Sequence, residues 1–406
     1  MGVPVSITTD AAVFGGHIGP VICYAPQNIH PESLHIGVQG LLFESSITRQ
    51  EEVVISWEKL PAFFPVPGAD LPFDLFAAAF FLLSRYEEYL PHAEDSYGRF
   101  PHTASLAFRA GFLNQPLVDQ WVMRLSALLQ QRFPAFRPAF PPFRVLPTYD
   151  IDMAWSFLHK GWVRNLGGFL RHPSAERIRV LLGQQKDPFD VYDWLDALHE
   201  KAGVRPRYFF LLAEKTGRYD KNISPAHPAM RALVKRHARK YDTGIHPGWQ
   251  SGESVAALKR EISLLEEISG KPVTHSRQHY IRFRLPEGYR RLTEAGITDD
   301  YSMGYGSING FRASVAAAFN WYDLERETTT ALRVHPFCFM DANAYYEEGL
   351  NAEESYAALL QYQLVCREVR GVMISIWHNN FLGSATEFAG WKEVYERWVR
   401  QLPGVV

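Results

Sequence analysis

The second part of the chain alternates between two hydrophobic patterns. From Arg144 onward, short apolar runs are followed by longer segments in which apolar residues recur every three or four positions. Short runs favour buried strands and the longer periodic segments favour helices. Strands are predicted at 144–149, 207–212, 242–245, 273–276, 297–300, 331–334 and 371–377. Helices are predicted between them at 188–202, 228–240, 254–269, 287–295 and 353–369, the first with Asp187 as its N-cap. This alternation is typical of an α/β fold built on a parallel sheet or barrel.

The first part of the chain has a different pattern. Short strand-like runs at 4–7, 21–24, 34–38 and 52–57 precede a strongly apolar helix that begins near Asp74 and ends before Pro91. An amphipathic helix at 118–133 follows, and several prolines then fall within 133–147. A proline-rich segment is stiff and suits a linker. We therefore predict a smaller mixed α/β domain of unknown role at 1–143 and a second domain at 144–406.

Groups that bind metals or move protons follow nearly every predicted strand of the second domain. They are Asp150, Asp152, Glu214, His246, Arg277, His279, Asp299, Asp300, His335, His378 and Asn379. In parallel α/β folds, catalytic groups gather at the carboxyl ends of the strands. Asp150 and Asp152 are two positions apart, so both carboxylates of a strand would point to one face, where like charges need a cation or a shared proton. Turn formation or helix capping is the alternative role of such an acid pair.

Composition and charge narrow the class of protein. Of the 406 residues, 47% are hydrophobic and 21% are charged, with a formal net charge of −2. This near neutrality argues against nucleic-acid binding and against a polybasic membrane anchor. Cys23, Cys338 and Cys366 lack the spacing of a zinc site or a disulfide framework. The longest apolar run, 75–83, is too short to span a bilayer. Residues 1–20 do not resemble a secretory signal, so we expect a cytoplasmic protein, with its oligomeric state open.

One stretch connects these residues to a known family. Thr148-Tyr149-Asp150-Ile151-Asp152 resembles the opening motif of the polysaccharide deacetylase family, also called the NodB-homology domain. The resemblance extends over about 144–383. It implies a distorted seven-stranded (β/α) barrel in which Asp150 is the general base and Asp152 is a metal ligand. With its sizeable N-terminal domain, the chain resembles a bacterial branch of the family that differs from the well-studied members.

The second motif concerns the metal. Asp242-Thr243-Gly244-Ile245-His246 is similar to the family's acid, glycine and histidine pattern, which makes His246 a metal ligand. The family has a second histidine four residues later, where this chain has Gln250. A catalytic zinc site needs about three protein ligands. Gln250 is one candidate for the third, Asp242 is another in an alternative alignment, and His279 is a further one. The cofactor implied is a divalent metal ion, zinc first, with cobalt, nickel or iron as alternatives.

The remaining motifs imply an acid and its supporting groups. Val372-Met373-Ile374-Ser375-Ile376-Trp377-His378 resembles the strand that ends in the family's general acid, His378. Asp299 or Asp300 would be the carboxylate that tunes this histidine. Arg277 would orient Asp150, although Arg284 fits the family's third motif more literally. Trp249, Trp377 and Asn379 are candidates for binding substrate, and core packing is the alternative role of the two tryptophans.

These assignments predict a metal-dependent hydrolase that removes an acyl group, acetyl first, from an N-acetylated sugar or polysaccharide. Its partner would be a carbohydrate or a small N-acylated substrate. Two alternatives remain open from the sequence. The first is a metal-free, deacetylase-like pseudoenzyme that binds a glycan or a partner, which the glutamine at position 250 favours. The second is a hydrolase of another carbon–nitrogen or ester bond, because a fold does not fix a substrate.

Overall fold

The computed structural model describes residues 2–402, and its N-terminal part contains two small sheets. Strands β1 (Ile22–Tyr24) and β2 (Leu34–Ile36) pair in parallel, and β3 (Val54–Trp57) and β4 (Leu60–Phe63) form an antiparallel pair. The helices of this part are α1 (Ala11–Gly15), α2 (Leu75–Leu83), α3 (Leu106–Arg109) and α4 (Leu117–Arg132). Three of the four predicted strands are formed, whereas residues 4–7 lie outside any strand.

Helix α2 is the buried helix that the apolar pattern predicts, but it is shorter. Asp74 caps its first turn by accepting a hydrogen bond from the Ala77 amide. The helix ends at Leu83 because Arg85 adopts a left-handed conformation with a φ of 56°. A separate 3₁₀ turn, Tyr86–Tyr89, then covers the part of the prediction that lies before Pro91.

The second part of the chain forms one large sheet. Its strands are β5 (Arg144–Ile151), β6 (Arg207–Leu211), β7 (Asp242–His246), β8 (His275–Ser276), β9 (Asp299–Asp300), β10 (Phe319–Asp323), β11 (Thr328–Val334), β12 (Phe339–Met340) and β13 (Val372–His378). Their hydrogen-bonded order is β10-β11-β9-β8-β7-β6-β5-β13-β12, and only the β10–β11 pair is antiparallel. The predicted parallel α/β sheet is therefore confirmed, with all seven predicted strands present in it.

The sheet is strongly curved, but the distorted seven-stranded barrel that the family resemblance implies is not confirmed in detail, because the sheet within residues 2–402 has nine strands. Arg277, directly after β8, donates a hydrogen bond of 2.7 Å to Thr148 on β5, across the two intervening strands. In a flat sheet these strands would be about 14 Å apart, beyond the reach of the two side chains. Within residues 2–402, however, no ladder joins the edge strands β10 and β12. Neither of these two edge strands was predicted from the sequence.

Helices cover the sheet and occupy the connections between strands. They are α5 (Gly161–Arg171), α6 (Ala175–Leu181), α7 (Tyr192–Ala202), α8 (Pro228–Lys240), α9 (Val255–Ser269), α10 (Glu287–Glu294), α11 (Ala352–Glu368) and α12 (Trp391–Gln401). Further turns of 3₁₀ or π helix are Leu41–Phe43, His102–Ala104, His279–Ile281, Asn343–Glu347 and Thr386–Phe388. The five predicted helices are present, whereas α5, α6 and α12 were not predicted. Among the described helices, none is both long enough and apolar enough to cross a bilayer.

Asp187 has a different role from the predicted N-cap of α7. The N-cap position of that helix is Val191, and no side chain caps it. The buried carboxylate of Asp187 instead accepts hydrogen bonds of 2.8 to 3.0 Å from the amides of Ser156, Phe157 and Leu158. Asp187 therefore fixes the loop that follows β5.

A buried ion-pair network connects the N-terminal part to the sheet part. Glu88 lies between two arginines, and its carboxylate is 2.7 Å from Arg85 Nε and 2.8 Å from Arg312 Nε. All three side chains are almost inaccessible to solvent. Since a buried charge is costly unless it is paired, this network ties residues before the predicted boundary at position 143 to residues after it.

Candidate metal centre

The candidate site begins with the acids at the end of β5. Thr148 and Asp150 are two apart on this strand and point to the same face. Both accept a hydrogen bond from Arg277 Nη1, at 2.7 Å for Thr148 Oγ1 and 2.9 Å for Asp150 Oδ1. Asp150 also pairs in register with His378 on the neighbouring strand β13. The strand alternation that the sequence predicts therefore brings a carboxylate, an arginine and a histidine to one end of the sheet.

Arg277 is fully buried next to Asp150. Its Nε donates to the Tyr301 carbonyl at 3.1 Å, and its guanidinium carbon lies 4.5 Å from the Phe209 ring centroid. Burial lowers the pKa of Arg277, and Asp150 opposes that change. A guanidinium remains charged even so. It therefore places a positive charge 2.9 Å from Asp150 Oδ1 and fixes the orientation of that carboxyl group.

Three potential metal ligands meet just above this pair. Asp152 Oδ1 is 3.1 Å from His246 Nε2, and Asp152 Oδ2 is 3.5 Å from His279 Nε2. One ligand atom from each of Asp152, His246 and His279 lies within 4.8 Å of the others. His246 is at the end of β7 and His279 is in the turn after β8, so neighbouring parallel strands bring these ligands together.

The second nitrogen of each histidine is bound to the protein. His246 Nδ1 is 2.6 Å from the Arg277 carbonyl oxygen, and His279 Nδ1 is 3.0 Å from Asp220 Oδ1. Both partners are acceptors, so each Nδ1 donates. Each Nε2 is then directed at the shared centre, which is the arrangement that orients metal-binding imidazoles in proteins.

The donor set fits a divalent cation. Two imidazole nitrogens and a carboxylate are a ligand set of catalytic zinc sites. Asp152 Oδ1 is buried and accepts no hydrogen bond within the described structure, although His246 Nε2 is 3.1 Å away. Burial alone would lower the pKa of His279, but Asp152 and Asp220 raise it to about 9. A cation would replace the proton that this centre otherwise holds.

The turn that carries His279 has an unusual backbone. Tyr280 and Ile281, directly after the histidine, have φ values of 59° and 53°. A left-handed conformation costs a non-glycine residue about 1–2 kcal/mol. Arg99, from the N-terminal part, donates a hydrogen bond of 2.7 Å to the Tyr280 carbonyl. The turn is therefore stabilised from outside, in a conformation that aims His279 at the centre.

His378 approaches the centre from the other side. Its Nε2 is 3.8 Å from Asp152 Oδ2, and its Nδ1 is 2.6 Å from Asp341 Oδ1. Burial alone would lower the pKa of His378, but the buried carboxylate of Asp341 outweighs it and raises the pKa to about 10. A histidine held in its protonated form beside the centre has the property that a general acid needs.

The carboxylate partner of His378 is Asp341, and not Asp299 or Asp300 as the sequence analysis expected. Asp299 Oδ1 is 2.7 Å from His335 Nε2. Asp300 accepts hydrogen bonds of 2.8 Å from the hydroxyls of Ser276 and Ser302. Neighbouring residues of a strand point to opposite faces, and neither face of β9 presents a carboxylate to His378.

The other candidates for the third ligand and for the arginine, Gln250, Asp242 and Arg284, have exposed side chains. Gln250 is exposed. Asp242 is at the opposite end of β7 from His246, where it is exposed and 3.3 Å from Arg207. Arg284 is exposed and pairs with Glu94 at 2.6 Å. Of the candidates for the third ligand and for the arginine, His279 lies 3.5 Å from Asp152 and Arg277 lies 2.9 Å from Asp150.

Two of the predicted substrate-binding residues are core residues. Trp377 is buried, and its Nε1 donates to Ser375 at 3.0 Å. Asn379 is buried and donates to the carbonyls of Met153 and Phe189 at 3.0 Å. Both side chains are therefore engaged inside the protein, and the core-packing alternative describes Trp377.

Trp249 is half-buried beside the centre, but the faces of its ring are covered. Tyr219 stacks on it with a centroid separation of 3.7 Å, and the Arg282 guanidinium lies 4.1 Å from its ring centroid. Two groups this close to the ring centroid must occupy opposite faces. Its amide also donates to Asp220 at 3.0 Å. The predicted stacking of a sugar ring on Trp249 would require one of the two covering groups to move.

Two residues of the site, Asp341 and Asp220, are not among the candidates named above from the sequence. Asp341 directly follows β12, a strand of two residues that is too short to give a hydrophobic pattern. The apolar run before it, 337–340, was the only signal. From the sequence alone, Asp220 also fits a turn. Its contact with His279 joins residues that are far apart in the sequence, so it leaves no local signal.

The fold and the site together define a curved parallel α/β sheet with a two-histidine, one-carboxylate centre at its carboxyl end. A family model, DUF7033, described as a family of unknown function, matches residues 1–134. No curated protein matches the sequence at a significant level.

Solved structures that match the chain include polysaccharide deacetylases, the family that the sequence motifs resemble. One from Mycobacterium smegmatis and one from Pseudomonas aeruginosa, both provisionally assigned, have 12% and 14% identity and TM-scores of 0.42 and 0.40. Each match covers 65% of this chain, and 85% and 88% of theirs. A Bacillus cereus polysaccharide deacetylase has 12% identity, a TM-score of 0.31, and coverage of 63% of this chain and 85% of its own. Because these identities and TM-scores are low, the function has to be inferred from the residues of this chain.

Proposed function

We propose that the protein is a metal-dependent hydrolase that removes an acyl group from an amide nitrogen of a sugar. The observation that carries this proposal is the convergence of three groups of side chains on one point. Asp152 with two histidines forms a cation site, Asp150 with Arg277 forms a base, and His378 with Asp341 forms an acid. Hydrolysis of an amide needs these three functions together, whereas a binding site needs no paired base and acid.

The residues divide the reaction as follows. Lewis-acid activation of a water and of the acyl oxygen is the chemistry that a divalent cation supplies when bound by Asp152, His246 and His279. Asp150 accepts the proton of the water as the new carbon–oxygen bond forms. Arg277 orients Asp150 for that step by donating a hydrogen bond of 2.9 Å to its Oδ1. His378 donates its proton to the nitrogen as the carbon–nitrogen bond breaks, so the products are a carboxylate and an amine.

An N-acetylated sugar is the proposed substrate, and acetate would be the acyl product. The metal-free pseudoenzyme remains the alternative that an experiment has to exclude. Its support was the glutamine at position 250, where the family has a histidine. His279 weakens that support. Its Nε2 is 3.5 Å from Asp152, so it can be the third ligand in place of a side chain at position 250.

Metal content tests the proposed ligands directly. We expect wild-type protein purified without chelators to contain about one divalent metal ion per chain. Asp152→Ala, His246→Ala and His279→Ala should each remove the ion, because each deletes one of three ligands. The measurement is inductively coupled plasma mass spectrometry on the folded variants, with folding checked by circular dichroism.

Gln250→Ala is the matched control for the third ligand. Its side chain is exposed, so the variant should keep the wild-type metal content. Loss of metal in Gln250→Ala with retention in His279→Ala would show that the third ligand is assigned wrongly. Wild-type protein that stays free of metal after incubation with zinc would reject the hydrolase in favour of the pseudoenzyme.

We also propose that residues 1–143 form a domain that supports the metal centre. Three contacts from this part reach the turn that carries His279. Arg99 donates to the Tyr280 carbonyl, Tyr97 stacks on the Tyr280 ring at 5.3 Å, and the Tyr97 carbonyl accepts from Arg282 at 3.0 Å. These contacts hold both sides of the two left-handed residues, so the position of His279 depends on the N-terminal part.

Replacement of Arg99 tests this supporting role. Arg99→Gln should weaken zinc binding by about tenfold, the lower end of what losing an outer contact of a ligand costs, because the His279 turn loses its external hydrogen bond. Zinc affinity would be measured by competition with a chromophoric chelator. Arg109→Gln, which breaks an exposed pair with Glu52 in the same part of the chain, should bind zinc as the wild type does. Equal affinities in all three proteins would contradict the supporting role.

A further inference from the structure

Helices α5 and α6 carry a concentration of exposed apolar side chains. Seven of the nineteen exposed large hydrophobic residues of the described structure lie within 162–182. Trp162 is 77% exposed and Leu170 is 74% exposed. The others are Val163, Leu166, Ile178, Leu181 and Leu182. Helix α5 has no buried residue at all. Scattered exposed apolar residues are ordinary, but a contiguous patch marks a surface that another body covers.

The apolar residues of α5 share one side of the helix. At 100° per residue, Trp162, Leu166, Leu170 and Val163 fall within an arc of about 100°. The opposite side carries Arg164 and Arg171. Arg164 donates to the carbonyls of Lys221 and Asn222, which fixes the helix on the protein and leaves the apolar arc outward. The helix is thus anchored by its polar side, and among residues 2–402 nothing covers its apolar side.

The charge of this segment indicates what covers it. Residues 160–182 contain five lysines and arginines and one acid, Glu176, in a chain whose formal net charge is −2. The adjoining loop adds Lys215, Arg218 and Lys221, all of them exposed. An amphipathic helix with exposed Trp and Leu beside Lys and Arg is typical of one that lies in the surface of an anionic membrane. A second copy of the chain fits less well, because two such segments would place like charges together.

We infer that α5 and α6 dock on an anionic lipid surface. The low net charge of the whole chain, which argues against a polybasic anchor, is the sum of this basic segment and an acidic remainder. The patch is also near the metal centre: α5 follows the loop after Asp152, and Arg164 contacts the loop that contains Asp220, the partner of His279. If the proposed hydrolase activity is correct, docking would bring the centre to substrates attached to a membrane.

Vesicle binding tests this inference without any enzyme assay. Full-length protein should cosediment with vesicles of equal amounts of phosphatidylcholine and phosphatidylglycerol, and should bind pure phosphatidylcholine vesicles at least about tenfold more weakly. The double variant Trp162→Ala, Leu170→Ala should reduce binding to the anionic vesicles by at least about tenfold, because it removes two of the most exposed apolar side chains. Leu364→Ala, at an exposed helical position elsewhere, should bind as the wild type does.

Several outcomes would overturn the inference. Equal binding to neutral vesicles, or no binding to either kind, would reject an anionic lipid surface. A concentration-dependent dimer in sedimentation velocity that is lost in the Trp162→Ala, Leu170→Ala variant would assign the patch to a second copy. Both variants should unfold at the wild-type temperature, since the substituted side chains are exposed. Metal content and acetate release are measured separately, so failure of docking and failure of the proposed hydrolase can be told apart.

Discussion

Replacing His378 by glutamine should lower kcat by about 100-fold to 10,000-fold and leave the metal in place. The range is that of a positioned general acid. Glutamine can retain a hydrogen bond to Asp341, but it has no proton to give to the departing nitrogen. His378 Nε2 lies 3.8 Å from Asp152 without belonging to the three ligand groups that converge. The variant should therefore separate turnover from metal binding.

Acetate release from N-acetylated sugars is the measurement, together with metal content of the same preparation. The chain provides a close control in His335, which also follows a strand and also pairs with an aspartate, at 2.7 Å from Asp299. His335→Gln should leave kcat near the wild-type value because its partner is not at the centre. Similar losses in both variants, or loss of metal in His378→Gln, would remove His378 from the role of acid.

The elements that the sequence predicts well are those whose ends have a strong local signal. Helix α8 spans Pro228–Lys240 as predicted, since proline is favoured in the first turn and basic residues in the last. Strands β5 and β13 are largely apolar runs with an acid or a histidine at their carboxyl ends, and β7, whose last three residues are buried, also ends in a histidine. Burial of those runs fixes the side of the sheet on which each following residue lies.

The third ligand, His279, has no strong local signal in the sequence. His279 stands on a short 3₁₀ turn whose next two residues have positive φ. No residue pattern favours tyrosine and isoleucine in that conformation. The turn is held there by Arg99 and Tyr97, which are about 180 residues earlier in the chain. The sequence could therefore name His279 as a candidate, but could not prefer it over Gln250 or Asp242.

The carboxylate partner of His378 could not be assigned for a related reason. Asp299 and Asp300 are the last residues of a predicted strand, 297–300, so the sequence favours them. Asp341 follows β12, whose two residues belong to the sheet only because they pair with Ser375 and Ile376 of β13. That pairing places Asp341 next to His378, with its Oδ1 2.6 Å from His378 Nδ1. The contact between Asp341 and His378 depends on which strands are neighbours in the sheet. Such a contact leaves no periodic hydrophobic signal in the sequence.

The unpredicted contact with the largest expected effect on stability is that of Glu88. Its Oε1 accepts hydrogen bonds from Arg85 and Arg312, and its Oε2 accepts a second one from Arg312 at 2.5 Å. Arg312 lies in the connection between β9 and β10, so this one carboxylate joins the two parts of the chain. Glu88→Gln would leave the buried Arg312 guanidinium facing a neutral partner, whereas Arg85 would keep its contact with Glu87 at 2.7 Å. Breaking a buried pair in this way costs about 3–5 kcal/mol.

We therefore expect Glu88→Gln to lower the free energy of unfolding at neutral pH by about 3 kcal/mol, measured by guanidinium denaturation. Glu353→Gln, which breaks an exposed pair with Arg397, should change it by less than about 1 kcal/mol. The loss should also depend on pH. Burial alone would raise the pKa of Glu88, but Arg312 and Arg85 outweigh it and lower the pKa from 4.5 to about 2.

A carboxyl whose pKa is lower in the folded state stabilises the protein above its unfolded pKa, and that contribution decreases as the pH falls through the folded pKa. The difference in unfolding free energy between wild type and Glu88→Gln should hence be constant above a pH of about 4.5 and should shrink as the pH falls toward about 2. At the acid end wild-type Glu88 is itself neutral, as glutamine is. A difference that stays constant over this range would show that the variant destabilises the protein by repacking, and that the charge of Glu88 does not join the two parts of the chain.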